Sequence, residues 1–232
     1  MIATRVSPDH ISPFLQYLAA RYSDGERLPS LVAISQDLGI SVAALREQLE
    51  VARALGLVEV RPKTGVRRLS YTFRQAVAQS LGYATSIDGQ NFNLFAELRN
   101  HIEASYWHQA VEMLTPQDHE YLVKLVDQAE EKLAGDPPQI PHFEHRELHL
   151  SIYRRLNNPF VNGILEAYWE SYEATGLAVM NDHSYLQTVW QYHRKMVSAI
   201  QNGDLDMGYH ALIEHADLLY KRPQPLSRQK FE

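Results

Sequence analysis

Four histidines in the second half of this 232-residue chain have the spacing of a metal-ligand set. His145 and His149 are four residues apart, so on a helix they share a face, and a pair so placed can grip one ion. Ile152 and Leu156 continue that stripe. His193 falls within the stripe Leu186, Val189, Trp190, Met196, Val197 and Ile200, and His215 falls between Leu212 and Leu219, so both point inward. Asn202-Gly203-Asp204 joins the two segments, with His193 ten residues before Gly203 and His215 twelve after it. At about 1.5 Å of rise per residue, an antiparallel helical hairpin sets the two rings nearly level, roughly 15–18 Å from the turn. Neutral imidazole is a good ligand for zinc, nickel, copper or iron, and several inward histidines at one depth are costly unless paired or metallated. The plainer reading is a set of hydrogen-bonded core histidines. His142, one turn before His145, is a spare candidate; His101, His108, His119 and His210 read as surface or packing residues.

The elements that must carry these residues are helical. From about Tyr71 onward the helical period dominates, predicting helices near 72–85, 91–114, 116–134, 140–157, 159–177, 183–201 and 205–220. Thr115-Pro116, Gly135-Asp136-Pro137-Pro138, Asn157-Asn158-Pro159 and Asn202-Gly203-Asp204 punctuate them. The expected organisation is an N-terminal domain over 1–70, an all-helical bundle over 71–222 and a tail over 223–232, mainly α overall.

Within the first domain, Ser7-Pro8 predicts the start of a helix whose apolar face is Ile11, Phe14, Leu15, Leu18 and Ala19. Residues 25–69 then read as two short capped helices and a basic hairpin. Ser30 caps a helix over Leu31–Leu38, Gly39 stops it, and Ser41 caps a second that ends at Gly56. In the second helix Leu45, Leu49 and Ala52 face the core, whereas Val42, Ala43, Arg46, Glu50 and Arg53 lie outward, where a DNA major groove can receive them. Leu57–Val60 and Val66–Leu69 read as strands about a Pro62-Lys63-Thr64-Gly65 turn. Arg61, Lys63, Arg67 and Arg68 put four positive charges on this hairpin, suited to phosphate contacts. A helical and β domain with a solvated basic turn is the plainer alternative.

Composition bounds the function. The chain has no cysteine, which excludes disulfides and thiolate metal sites, and no apolar run approaches the ~18 residues of a membrane span. No signal-peptide pattern opens it, so a cytoplasmic protein that uses no membrane is expected. Net charge is −6, unevenly spread: residues 1–72 hold nine Lys/Arg against seven Asp/Glu, and the remainder holds thirteen against twenty-one. Only the N-terminal part is suited to approach DNA. His145-Arg146-Glu147-Leu148-His149 superficially resembles a zinc-protease helix, but that chemistry needs glutamate directly after the first histidine, where Arg146 stands. With no nucleophile elbow, phosphate-cradling loop or Glu-x-x-His pair, an enzyme is not expected; a metal-dependent enzyme and a non-DNA-binding interaction protein are the alternatives.

Residues 25–65 resemble the winged helix-turn-helix of the GntR family of bacterial transcription regulators. The matching residues are Gly25, Leu28-Pro29-Ser30, Leu38-Gly39-Ile40-Ser41, Arg46-Glu47, Leu49, Gly56-Leu57-Val58 and Gly65. The resemblance implies DNA contact by Arg46 and insertion of the wing tip, Lys63, Thr64 and Gly65, into a minor groove. With it, the DNA-contact set becomes Ser30, Ser41, Val42, Ala43, Arg46, Arg53, Arg61, Lys63, Thr64 and Gly65. Val32 and Val42 stand where the family usually has arginines, and an apolar side chain cannot make a bidentate contact to guanine. Most of residues 75–220 resembles the FCD effector domain of the FadR-type branch. The likeness rests on Phe95-Ala96-Glu97-Leu98-Arg99 with Glu103, Leu148-His149, Asn158-Pro159, His193 with Ala199-Ile200 and Gly203-Asp204, and His215. In metal-binding members an aspartate and three histidines hold a divalent ion where a small carboxylate effector binds. The histidines map onto His149, His193 and His215, and the aspartate onto His145, a change that favours nitrogen-preferring ions, zinc or nickel. Arg99 is then placed to pair with the effector carboxylate, or alternatively with Glu103 four residues on. The resemblance implies a homodimeric repressor on a palindromic operator in double-stranded DNA.

Overall fold

The computed structural model describes residues 11–174 and 183–220. The chain divides into two compact units, residues 1–80 and 81–232.

In the first unit, α1 (Pro13–Arg21) is capped by Ser12, whose hydroxyl accepts from the Leu15 N–H. The expected start at Ser7-Pro8 lies outside the described residues; within them the same Ser-Pro signature recurs five residues later and opens the helix. Ile11 and Ala19, expected on the buried face, are exposed, Ile11 because the helix begins only after it, and Tyr17 joins Phe14 and Leu18 on that face instead. Ser30 caps α2 (Leu31–Leu38) by accepting from Ala33 N–H, and Gly39 at φ 65° ends it. Ser41 likewise caps α3 (Val42–Ala54) through Ala44 N–H. Helix α3 stops two residues before Gly56, which takes φ 72° and turns the chain into the hairpin.

The hairpin pairs β1 (Val58–Arg61) with β2 (Gly65–Arg68), Val60 opposite Val66, each strand one residue displaced from expectation. Thr64 N–H donates to the Arg61 carbonyl (3.3 Å), and Lys63 sits at the tip with φ 66°. Pro62 followed by a residue of positive φ is the pattern of a type II turn, in which glycine or asparagine is usual at the position Lys63 holds. A third extended stretch that the sequence did not announce lies along β2. Gly25 N–H donates to Arg68 O and Leu28 N–H to Val66 O, both at 2.9 Å, with Arg27 bridged to Arg67. Phe14, Leu18, Leu28, Ile34, Leu45, Leu49, Ala52, Val58 and Val66 close the core of this unit.

Helix α4 (Arg74–Ile87) runs through the division between the units, whereas the expected boundary at residue 70 precedes it. Its first turns stay with the winged unit, where Gln79 Nε2 donates to the Ala54 carbonyl (2.7 Å). The second unit is built from α5 (Gln90–Glu112), α6 (Pro116–Ala134), α7 (His142–Tyr153), α8 (Pro159–Ala174), α9 (His183–Asn202) and α10 (Leu205–Tyr220). Helix α7 is shorter than the expected 140–157: Pro141 precedes it, and its end tightens into a 3₁₀ turn over Arg154–Leu156 that Asn157 stops at φ 49°. The last residues expected in α8 lie outside those described. A capping box of Thr115 and Asp118 opens α6, and Arg155 holds the same Asp118 carboxylate. No helix among the described residues is long and apolar enough to cross a membrane.

Helices α9 and α10 form a hairpin through Gly203 at φ 70°, and Trp107 on α5 locks its turn by donating Nε1–H to the Leu205 carbonyl (2.9 Å). Gly208 lets this approach happen, since a Cβ there would lie 2.6 Å from the Trp107 ring. Gly208→Ala is therefore expected to destabilise the protein by about 1–3 kcal/mol through overpacking, outweighing the ~1 kcal/mol that alanine gains in a helix. A lowered thermal midpoint, with the α10 histidine displaced, is the outcome to look for; a raised midpoint contradicts this packing account.

Candidate metal centre

Helix α7 presents His145 and His149 on one face, α9 presents His193, and α10 presents His215. One ligating atom from each of the four lies within 4.8 Å of the others. The expectation that the α9–α10 hairpin sets its two histidines level is met, with ring centroids of His193 and His215 4.4 Å apart. His149, His193 and His215 are buried and His145 is half-buried at the mouth, edge-on to Trp169 at 4.7 Å. His142 lies outside the cluster.

Helix α5 closes the site from behind. Arg99 and Glu103, four residues apart and both buried, form an ion pair with Nη2 3.0 Å from Oε1. Glu103 is one of the two partners expected for Arg99. Arg99 Nη2 also donates to His149 Nδ1 (2.8 Å), and its guanidinium lies over the rings of Tyr168 (4.8 Å) and Trp169 (5.4 Å). Glu103 Oε1 is 3.2 Å from the same His149 Nδ1, without forming a hydrogen bond to it.

These contacts fix the protons. Arginine can only donate, so His149 Nδ1 must accept, and its proton sits on Nε2. Nε2 faces His193 Nε2 at 3.2 Å, which must accept in turn, leaving the proton of His193 on Nδ1, a buried atom with no hydrogen-bond partner. The Nδ1 of His215 is likewise buried without one. Burial above all, with the Arg99 charge, holds all three imidazoles well below their ordinary pKa, so they are neutral at pH 7 with lone pairs to offer. Burial raises the Glu103 carboxyl against the opposing pull of Arg99.

The residues fit a divalent ion. Four imidazole nitrogens complete a tetrahedral shell, whose ~2.05 Å bonds imply nitrogen separations of about 3.4 Å. The 3.2 Å between His149 and His193 matches that edge, and the widest separation, 4.8 Å, requires small side-chain movements inward. Beside the cluster lies a cavity of about 20 Å³ walled by Arg99, Tyr168, Trp169, Tyr172, Tyr185 and His145 among others, room for one water.

The residues expected to meet DNA lie on the winged unit. Ala43, Arg46 and Arg53 of α3 are exposed, and Val42 is half-buried. Ser30 and Ser41 commit their hydroxyl oxygens to capping. Arg53 is held by Glu50 and Arg61 by Glu59, while Arg46 and Lys63 stand exposed, with Thr64 beside Lys63 and Gly65 closing the tip at φ 83°. Val32, 57% exposed, is an apolar residue on the same unit's surface. Sequence reasoning missed Arg27, exposed with its guanidinium beside Gly65, and the closeness of Glu103 to His149; both depend on pairings distant in sequence.

The FCD domain family matches residues 95–218. Over 90% of this chain and 95% of the other, the fold is that of Streptococcus agalactiae GntR, at 22% identity and a TM-score of 0.67. E. coli McbR/YncC is aligned over 91% of this chain and 96% of its own, at 22% identity and a TM-score of 0.49. No curated protein matches the chain.

With three imidazoles held below their ordinary value, the unfolded chain takes up protons near pH 6.5 that the folded chain takes up only at lower pH. Stability of metal-stripped protein is then full above about pH 6.5 and falls below it, by up to about 1.4 kcal/mol per pH unit for each imidazole. Glu103, shifted upward, acts in the opposite sense as one group against three. Urea unfolding at pH values either side of 6.5 is expected to show this loss, and His215→Gln to make it shallower; an unchanged slope contradicts the assignment.

Proposed function

We propose that this chain, which belongs to the FCD domain family, is a cytoplasmic transcription regulator whose winged unit binds double-stranded DNA. In this reading two copies engage the halves of a palindromic operator, acting as a repressor, and the helical unit is the ligand-responsive part. The observation that carries it is the combination of a doubly capped helix pair, with Arg46 exposed on the second helix, and a two-stranded wing with Lys63 at its tip. Holding Lys63 at φ 66° costs backbone energy, which is consistent with a tip shaped for contact.

His145, His149, His193 and His215 would hold a divalent ion, zinc or nickel by their donor type. When bound, that ion supplies a positive charge and a cross-link among three helices. A carboxylate effector would reach Arg99 only by displacing Glu103, and a buried ion pair deprived of one partner loses about 3–5 kcal/mol. The enzyme alternative has little to work with: Arg146 is paired with Glu173 and Glu147 with Arg154. Val32, exposed where an arginine would read DNA, favours the interaction-protein alternative and is the reason to test DNA binding directly.

Selection of duplexes from a random pool by the purified protein is expected to return a short palindrome; no preference contradicts the regulator reading. On the selected duplex Arg46→Ala is expected to weaken binding by about 1–3 kcal/mol at fixed salt, roughly tenfold or more, with relaxed specificity at one position of each half-site. Unchanged affinity would remove Arg46 from the interface.

A further inference from the structure

Building on the regulator reading above, we propose that the signal sensed by the helical unit is the nitrogen-preferring divalent cation itself, captured by His145, His149, His193 and His215, with no organic acid required.

Donor number is the first argument. Catalytic and ligand-exchanging zinc sites keep a position open beside three protein ligands, whereas four protein ligands close the shell. This chain offers four nitrogens, because His145 supplies an imidazole one helical turn before His149. Room and charge agree. The adjoining cavity of about 20 Å³ admits a water and not a metabolite. The buried cation facing it among the described residues, Arg99, is already paired with Glu103 at 3.0 Å and enclosed by Tyr168 and Trp169. An incoming organic acid finds neither space nor uncompensated positive charge, while a cation finds one nitrogen from each of four histidines, all within 4.8 Å of one another.

The same residues couple capture to the rest of the unit. Helix α7 packs chiefly on α6, α5 and α8, whereas α9 packs on α10 and α6, and α10 on α9 and α5. Ligation by His145 and His149 together with His193 and His215 therefore joins α7 directly to α9 and α10, helices it otherwise meets mainly through α5 and α6. His149 is the link to α5. To ligate through the Nε2 that faces His193, His149 must move its proton to Nδ1. Nδ1 then no longer accepts from Arg99 at 2.8 Å and instead donates toward Glu103 Oε1 at 3.2 Å. Captured and uncaptured forms thus differ in the partner of Arg99, a buried residue of α5, which supplies the differential interaction that any ligand-driven shift requires.

The test compares full-length protein stripped by chelator with protein reloaded with zinc alone, in buffer free of carboxylic acids. Duplexes are selected separately with each form, and affinities are measured for both at fixed salt. One zinc per chain and an affinity change of about tenfold or more between the forms are expected. His193→Ala should abolish both uptake and response. If that variant fails to fold, His145→Ala, at the half-buried edge of the cluster, serves instead: three protein ligands remain, the folded helical content is kept, and the visible spectrum of the cobalt-loaded protein shifts as water replaces one imidazole nitrogen. Equal affinities with and without zinc overturn the proposal, as does a response that appears only when a hydroxy- or dicarboxylate is added to loaded protein. If zinc binds one per chain but neither form selects any duplex, the regulator reading falls and this proposal with it, a pattern distinct from the other two.

Discussion

Three uncharged imidazoles brought to one point inside a helical unit impose a requirement that its surroundings must meet. Each ring has two nitrogens, and in a dry interior an unpartnered one costs on the order of 1–3 kcal/mol. Arg99 satisfies one nitrogen of His149, and His149 and His193 satisfy each other, but Nδ1 of His193 and Nδ1 of His215 stay buried without partners. Apolar packing alone would not select such a cluster, since any aliphatic side chain fills the space at lower cost. A cation that takes one lone pair from each ring converts the liability into the strongest interaction available to four imidazoles.

The neighbourhood is arranged around that requirement. Trp107 and Gly208 fix the α9–α10 hairpin so that His193 and His215 arrive at the same depth. Arg99 and Glu103 cancel each other, so the pocket behind the rings carries no net charge to repel a dication. The aromatic wall of Tyr168, Trp169 and Tyr172 excludes water and leaves little more than one solvent-sized space. With a neutral nitrogen from His145 in place of an anionic oxygen, the set of donors favours nitrogen-preferring ions.

How much of this the sequence disclosed follows from the range of the interactions. Ser30 and Ser41 were readable as caps because a cap is a bond over three residues. The level placement of His193 and His215 followed from helix rise and a glycine turn, again local arithmetic. The pairing of residues 25–28 with β2, which places Arg27 beside Gly65, joins segments about forty residues apart and leaves no local pattern. Glu103 was visible as a partner of Arg99 one turn away, yet its approach to His149 depends on how α5 packs on α7. Ser12-Pro13, which opens α1, carries the same local signal as Ser7-Pro8, which lies outside the described residues, so the helix start at Pro13 is not singled out by that pattern. The size of the cavity is a sum over many side chains and is not written in any motif.

What unites the fold and the function is the claim that four imidazoles, and nothing else, complete the coordination of one ion in this chain. X-ray absorption at the zinc edge of the loaded protein tests it most directly. Four nitrogen neighbours at about 2.0 Å, with the outer-shell scattering of imidazole rings, are predicted. A shell of five or six light atoms at longer average distance, with fewer than four imidazoles, would contradict it, because a position would then stand open for an organic ligand.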